Sequence, residues 1–154
     1  MAQPQMALAD PTRAFVDSLD IPVIVANRIR TAQEAETMIV GGAAHAVPMA
    51  RTWIADPGWA RKYEAGDDAR VRPCVSCNQA CQGFLARGLR VSCIGNALAG
   101  REIEFSAIDK TATAKNIAVI GGGPAGMEVA RLAALRGHSV TLYEASSVLG
   151  GQLA

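Results

Sequence analysis

Four cysteines stand in a spacing that could hold a metal centre. Three fall within CVSCNQAC and the fourth lies in VSCIG; they are Cys74, Cys77, Cys81 and Cys93, a C-x2-C-x3-C-x11-C pattern. A tight loop of thiolates and one distant cysteine can converge on a single cubane, so the spacing favours a 4Fe–4S cluster. The alternatives are a structural zinc site, which usually uses two close ligand pairs, and unligated thiols.

The C-terminal part of the sequence contains the pattern of a dinucleotide-binding unit. The run IAVIGGGPAGMEVARLAALRGHSVTLYE passes from a β-branched strand through a glycine turn to a helix and a second strand. The predicted elements are a strand at Asn116–Ile120, a helix at Pro124–Arg136 and a strand at Ser139–Tyr143. A G-x-G-x-x-G motif alone is weak evidence for nucleotide binding. Here the motif stands between a predicted strand and helix, with a second strand after them, and this context predicts the first βαβ of a Rossmann-like domain.

Each glycine of this turn has a physical task. The three tasks are a tight turn, a close approach of the backbone to a pyrophosphate, and close packing of the helix on the strand. The positive end of the helix would face the phosphates, and Glu144 stands at the right distance to accept hydrogen bonds from ribose hydroxyls. The alternative is a tight turn with no ligand. The candidate nucleotide-binding residues are Gly121, Gly123, Pro124, Ala125, Gly126 and Glu144.

The N-terminal part, to about residue 66, alternates strand and helix patterns. The apolar run Ile21–Asn27 predicts a short buried strand. The run Ala44–Ala50 predicts a second short strand, whose later half is irregular because of Pro48. Thr31 is placed to cap a helix that ends at Gly41. The run RTWIADPGWARKYEAG predicts helical turns broken near Asp56. The order βαβα indicates a parallel sheet and an α/β fold.

Composition excludes several classes of protein. The chain has 154 residues, 50% of them hydrophobic, and a net charge of +1, which argues against a dedicated binder of nucleic acid or of membrane surfaces. No run of about 18 apolar residues occurs, so we expect no membrane span. The N-terminus lacks a basic region and a long apolar run, so we expect no signal peptide and a cytoplasmic location. Four cysteines in such a protein are more often ligands than disulfides.

The sequence resembles the iron–sulfur flavoproteins of the 2,4-dienoyl-CoA reductase type, within the old yellow enzyme and trimethylamine dehydrogenase superfamily. The resemblance covers nearly the whole chain from about Ile21. The matching runs are IPVIVANRI, VPMARTWIADP, RPCVSCNQACQGF, SCIGN, IAVIGGGPAGMEVARLAALRGHSVTLYE and LGGQL.

The resemblance implies a layout in three parts. Residues 1–66 would be the last βα units of a TIM barrel that carries FMN on its phosphate side. Residues 67–115 would be the iron–sulfur segment and a linker, and residues 116–154 would begin a domain that binds FAD and NAD(P). TIM-barrel phosphate sites are built from the loops after strands seven and eight.

The resemblance also implies site residues. Arg51 would bind the FMN phosphate through paired hydrogen bonds, and backbone amides near Asn27 and Ala50 would complete the site. The alternative is that Arg51 is an ordinary surface ion-pair residue. The implied FMN-site residues are Asn27, Arg28, Ala50 and Arg51. Gly151 and Gln152 of LGGQL would join the nucleotide site.

By resemblance, the parent enzyme would pass electrons from NAD(P)H through FAD, the 4Fe–4S cluster and FMN to an activated C=C bond, such as that of a 2,4-dienoyl-CoA. The alternatives are an amine dehydrogenase or demethylase of the same superfamily, and a non-catalytic nucleotide-binding fragment with structural zinc. The partners would be a small-molecule substrate, an enoyl thioester or an amine, and the remainder of the enzyme. No catalytic residue is assigned, and we expect these residues alone to be inactive.

Overall fold

The computed structural model describes residues 5–26, 28–105 and 108–153. They form two compact units, Met1–Glu102 and Ile103–Ala154. Among the described residues, no helix is long and apolar enough to cross a membrane. The helices of the first unit are α1 (Ala9–Ser18), α2 (Ala32–Val40), α3 (Ala50–Ala55), α4 (Trp59–Glu64) and α5 (Gln82–Leu85), with a 3-10 turn at Asp68–Arg70. The second unit contains β1 (Asn116–Ile120), α6 (Pro124–Leu135), β2 (Ser139–Tyr143) and a 3-10 turn at Gly151–Leu153.

Helix α2 begins and ends where its sequence predicts. The Thr31 side chain accepts from the backbone N–H of Glu34, and the Glu34 carboxylate accepts from the backbone N–H of Thr31, which is a complete capping box. The same carboxylate accepts from the backbone N–H of Arg30 at 2.6 Å. Gly41 ends the helix. The capping box therefore also fixes the turn that leads into α2.

The two apolar runs expected to be strands pair in parallel, but over only a few residues. The backbone N–H of His45 donates to the carbonyl of Val23 at 2.9 Å, and that of Val25 donates to Ala46 at 3.1 Å. The N–H of Val23 donates instead to the His45 side chain at Nδ1, and Pro48 has no N–H to offer. The pairing forms a single parallel bridge between Ile24 and Ala46, so the prediction of a strand over the whole of the first run was wrong for its described residues. The irregular end expected at Pro48 agrees with the absence of a strand there.

The core of the first unit lies between this short pairing and helix α2. Met38 of α2 is 1% exposed and packs with the two apolar runs. The buried members of the core are Val25, Ile29, Met38, Ala43, Ala44 and Met49. Ile29 and Met49 lie a few residues after the paired Ile24 and Ala46, so the core holds together the two segments that were predicted to bind phosphate.

The second unit is the predicted βαβ unit. Strands β1 and β2 pair in parallel, from Asn116 opposite Ser139 to Ile120 opposite Tyr143. Helix α6 connects them, with Pro124 in its first turn. Gly137 follows the helix at φ +92°, a conformation that glycine adopts without strain. The observed fold is thus α/β with a two-stranded parallel sheet.

Candidate cofactor sites

A cavity of about 320 Å³ lies in the first unit, beyond the ends of the two paired runs. The loops after both runs contribute to it, together with one residue from the cysteine segment. Its lining residues are Ala26, Arg28, Ile29, Arg30, Pro48, Met49, Ala50, Arg51, Thr52 and Gln82. Three of the four residues predicted to bind the FMN phosphate meet here. The fourth, Asn27, lies outside the described residues.

The cavity is cationic. Arg28, Arg30 and Arg51 all contribute to its lining. The Nε atom of Arg28 is buried and has no hydrogen-bond partner among the described residues. A buried donor without an acceptor costs about 1–3 kcal/mol. Arg28 also has φ +49°, a strained conformation for a residue with a side chain. Three guanidinium groups in the lining of one cavity are the donors that a phosphate ester pairs with, so the residues fit the predicted group.

Two of these arginines also hold the cysteine loop. Arg51 Nη1 donates to Asn78 Oδ1 at 2.7 Å. Arg30 Nη1 donates to the carbonyl of Cys74 at 3.3 Å and lies 3.4 Å from Ser76 Oγ. The loop between Cys74 and Cys81 is therefore bonded to the cationic cavity. Sequence spacing alone gave no sign of these contacts.

The cysteine loop has an unusual backbone. Ser76 and Asn78, on either side of Cys77, have φ +57° and +58°. Left-handed residues are one component of the concave nests of backbone N–H groups that bind anions, including iron–sulfur clusters. Cys77 itself is exposed, and the other three cysteines are partly buried. The donor chemistry and the backbone thus fit an anionic cluster.

The distant cysteine is brought towards the loop by the backbone. The N–H of Ser92, next to Cys93, donates to the carbonyl of Ala80, next to Cys81, at 2.8 Å. Among the described residues, however, no group of three or more His, Cys, Asp or Glu side chains is arranged to hold a metal ion. The 4Fe–4S ligation by the four cysteines therefore stays a prediction.

A buried polar network joins the cysteine segment to helices α3 and α4. Asp56 is 5% exposed and accepts from Lys62 Nζ at 2.5 Å and from the backbone N–H groups of Gly58 and Arg72 at 3.0 and 2.9 Å. Burial pushes the pKa of Asp56 upward, but the hydrogen bonds from Lys62, Arg72 and Gly58 outweigh it and hold the pKa below its usual value. Asp56 was predicted only as a helix break.

Asn96 of the SCIGN run completes this network. It is 3% exposed. Its Nδ2 donates to the carbonyl of Ile54 at 3.0 Å, and its Oδ1 accepts from Arg72 Nη1 at 3.1 Å. Sequence reasoning missed the role of Asn96, although its position in a run shared with known proteins was a usable signal. The segment that carries the cysteines is thus fixed on α3 by a side chain three residues after Cys93.

The glycine turn of the second unit has the geometry that its sequence predicts. Gly121 has φ +101°. A Cβ on Gly126 would lie 1.9 Å from the carbonyl oxygen of Gly121, so only glycine fits there. A Cβ on Gly123 would meet nothing within 4 Å. Gly123 precedes Pro124 and Ala125 at the start of α6 and leaves open the space through which a pyrophosphate would approach.

Glu144 is bonded to this turn. Its Oε2 accepts from the backbone N–H of Gly122 at 2.6 Å, and its Oε1 accepts from that of Ser146 at 2.8 Å. The hydrogen bonds from Ser146 and Gly122 lower the pKa of Glu144. Each carboxylate oxygen can accept a second bond, so the predicted contact with ribose hydroxyls is compatible with this arrangement and stays a prediction.

The LGGQL run folds back on the glycine turn. The N–H of Gly150 donates to the carbonyl of Gly122 at 2.9 Å. A Cβ on Gly151, which has φ +59°, would lie 3.2 Å from the Cα of Gly123. Gln152 is exposed in the 3-10 turn that follows. The structure therefore brings Gly151 to Gly123, and the binding role of Gln152 stays a prediction.

Known proteins are similar to both units of this chain. Residues 119–154 match the family of NAD(P)-binding Rossmann-like domains. A metal reductase of Desulforamulus reducens is 43% identical to this chain. The alignment covers 97% of this chain and 23% of that relative. A bilirubin reductase of Mediterraneibacter gnavus is 39% identical, with 98% of this chain and 23% of that relative covered. The chain thus spans about a quarter of the length of these relatives.

The chain is also similar to part of a solved structure. The complex of a 2-naphthoyl-CoA reductase with 2-naphthoyl-CoA superposes with a TM-score of 0.90 at 32% identity, covering 99% of this chain and 24% of that one. Other relatives are named as an alkene reductase and demethylase of the OYE type, a cinnamate reductase and a dimethylamine dehydrogenase. The named activities are reductions and amine oxidations, which are all redox reactions.

Proposed function

Because this chain is homologous to the reductases and dehydrogenases of the old yellow enzyme and trimethylamine dehydrogenase family, we propose that it is the cofactor-holding segment of a flavin- and iron–sulfur-dependent oxidoreductase. One observation carries the proposal. The cationic cavity of about 320 Å³ and the cysteine loop are joined by the 2.7 Å hydrogen bond between Arg51 and Asn78. The proposed division is residues 1–66 for the barrel part, 67–115 for the iron–sulfur segment and 116–154 for the nucleotide-binding part.

The first part would hold FMN by its phosphate. Arg51 and Arg28 supply guanidinium donors at the cavity, and Ala50, the first residue of α3, forms part of its wall. Arginine forms planar, paired hydrogen bonds with phosphate oxygens. The two parallel-paired runs would then be strands seven and eight of a TIM barrel, whose loops form phosphate sites in that fold.

The cysteine segment would hold a 4Fe–4S cluster through Cys74, Cys77, Cys81 and Cys93. The left-handed Ser76 and Asn78 stand on either side of Cys77, where their backbone N–H groups would donate to the cluster. Asn96 and Asp56 fix the segment to α3 and α4 through buried hydrogen bonds. These residues would keep the thiolates close to the phosphate cavity.

The second unit would hold FAD. The open approach at Gly123 would admit the pyrophosphate, and α6 would present its positive end to it. Together the three groups would supply one- and two-electron redox chemistry, in the order FAD, 4Fe–4S, FMN, for the NAD(P)H-dependent reduction of an activated C=C bond such as that of a 2,4-dienoyl-CoA. The partners would be this substrate and the remainder of the enzyme.

Analysis of bound cofactors in the complete enzyme tests the proposal. We expect iron and acid-labile sulfide in equal amounts, together with both FMN and FAD. Stoichiometric zinc without sulfide would leave a nucleotide-binding protein with a structural zinc site and would contradict the proposal.

A second candidate activity is the oxidation of an amine. It is favoured by the 29% identity and TM-score of 0.88 to the 6-hydroxypseudooxynicotine amine oxidase of Pseudomonas geniculata, which cover 96% of this chain and 23% of that one. Steady turnover of secondary or tertiary amines, with no reduction of enoyl or dienoyl thioesters by NAD(P)H, would select this alternative.

A further inference from the structure

The contact between Asn78 and Arg51 joins two parts of the chain that lie 27 residues apart. Asn78 Oδ1 accepts from Arg51 Nη1, at 2.7 Å. Arg51 is partly buried in the lining of the cationic cavity, while Asn78 lies outside that lining, on the cysteine loop. Asn78 therefore contacts the arginine from the side of the cysteine loop.

The chemistry of the pair limits what Arg51 can do. A guanidinium has five N–H donors in one plane. Asn78 accepts from one of these donors, so the contact restricts the orientation of the guanidinium while other donors remain for a ligand. A long arginine side chain otherwise has many rotamers, and ordering it on binding costs affinity. The Asn78 amide removes part of this cost before any ligand arrives.

The backbone conformation of Asn78 is compatible with its contact to Arg51. Its φ of +58° lies in the left-handed region, where asparagine is tolerated better than most residues. Ser76, the other left-handed residue of the loop, lies 3.4 Å from Arg30 Nη1 through its Oγ. Both strained positions of the cysteine loop thus meet an arginine of the cavity. Strain of this kind persists where surrounding contacts hold it.

We propose that Asn78 is a positioning residue for the phosphate cavity, whose amide oxygen orients Arg51 towards the phosphate ester of a flavin mononucleotide. This inference rests on the proposed function, since it takes the cavity as the FMN phosphate site. It adds that the cysteine loop, which was assigned only to the iron–sulfur cluster, also sets the affinity of the flavin site.

The test uses the complete enzyme stripped of FMN, titrated with FMN and with riboflavin, which lacks the phosphate. Binding is followed by quenching of flavin fluorescence. Asn78→Gly keeps the left-handed backbone and removes only the amide. We expect the Kd for FMN to rise about fivefold, the scale of one exposed hydrogen bond to a charged group. The Kd for riboflavin and the iron content should not change.

Two further variants complete a double-mutant cycle. Arg51→Ala should raise the Kd for FMN by about 10- to 100-fold, and adding Asn78→Gly to it should have no further effect, because the side chain that Asn78 orients is gone. Gln79→Ala, at the neighbouring position on the same loop, is the matched control and should bind FMN like the wild type.

The contrary outcomes separate failure of the positioning role from failure of the FMN phosphate site. An unchanged Kd for FMN in Asn78→Gly, an equal loss of riboflavin affinity, or full additivity in the double variant would overturn the positioning role alone. An unchanged Kd in Arg51→Ala would instead overturn the FMN phosphate site and the inference with it.

Discussion

The carboxylate of Glu144 accepts the backbone N–H of Gly122 at 2.6 Å, so the end of strand β2 is bonded directly to the glycine turn that begins helix α6. These residues are 22 positions apart. The same carboxylate accepts from Ser146. Glu144 thus holds the shape of the turn in addition to its predicted contact with ribose.

Replacing Glu144 should weaken FAD binding without abolishing it. In the complete enzyme, Glu144→Ala removes the acceptor for Gly122 and leaves the glycines in place, so we expect the Kd for FAD to rise about tenfold, on the scale of one charge-assisted hydrogen bond. Ser147→Ala, in the same exposed turn, is the control and should bind FAD like the wild type. An unchanged Kd in Glu144→Ala would show that the carboxylate contributes nothing to the site.

The pH dependence of FAD affinity should follow the ionisation of Glu144. Hydrogen bonds from Ser146 and Gly122 lower the pKa of this carboxyl group, so the group stays ionised through the usual glutamate range near pH 4.3. The contribution of the ionised Glu144 to FAD affinity should therefore be complete above about pH 4.3, and it should be lost as the pH falls through the lowered pKa. Titrations of FAD at descending pH, compared between wild type and Glu144→Ala, measure this difference. Affinity curves that stay parallel down to low pH would contradict it.

Two glycines of the turn should respond differently to substitution. Gly123→Val adds a side chain to open space, so we expect the protein to stay folded and lose FAD while keeping FMN. Gly126→Ala places a Cβ 1.9 Å from the Gly121 carbonyl oxygen, so it should also destabilise the second unit. FAD content by absorbance and unfolding by circular dichroism separate these effects. FAD retention in Gly123→Val would contradict the assignment of the pyrophosphate site.

Removing the charge of Asp56 should loosen the cysteine segment. Asp56→Asn leaves Lys62 without its buried partner, so we expect a loss of about 2–3 kcal/mol in the free energy of unfolding at neutral pH. Both tryptophans of the sequence, Trp53 and Trp59, lie near this site, so their fluorescence during urea unfolding reports on it. Asp20→Asn, at an exposed position, is the control, with an expected change within about 0.5 kcal/mol.

The same pair of proteins gives a second, pH-dependent result. Because the pKa of Asp56 is lowered in the folded protein, its stabilising effect is complete above about pH 4 and disappears as the pH falls through the lowered value. The stability difference between wild type and Asp56→Asn should therefore shrink in acid. A difference that is constant with pH would show that the charge of Asp56 is not what stabilises the segment.

Cys77 is the most exposed of the proposed ligands, and Cys77→Ser should reduce the iron and sulfide content of the complete enzyme by at least about half, because one thiolate ligand is lost. Ser92→Ala, beside another proposed ligand, should leave the iron content unchanged. Anaerobic reconstitution followed by iron and sulfide assays gives the measurement. Full cluster loading in the Cys77 variant would remove Cys77 from the ligand set.

The parts of the fold that sequence predicted well depend on neighbouring residues. Thr31 and Glu34 are three positions apart and form the capping box that their types predict. Strand β1, helix α6 and strand β2 follow one another with short connections, and their glycine turn demands specific backbone geometry at Gly121 and Gly126. The residues that determine these local structures lie close together in the sequence, so the sequence pattern itself shows the physical cause.

The parts that sequence did not predict depend on distant residues. The contacts from Asn96 to Ile54 and from Asn78 to Arg51 join positions 42 and 27 apart. No spacing rule pairs such residues. The truncated strand pairing has a similar origin, because the His45 side chain competes with the backbone for the N–H of Val23. Resemblance named Arg51 as a ligand residue but gave no partner for it.

The separation between these contacting positions has a consequence for the order of folding. Contacts between positions close in sequence form early, whereas closing a long loop costs entropy before its contacts repay it. The βαβ unit should therefore be complete soon after its last strand is synthesised. The cysteine segment must wait for Asn96 to reach Ile54, which lies 42 positions away. We expect its thiols to stay reactive towards alkylating reagents longest during refolding, a period in which a cluster could be delivered to them.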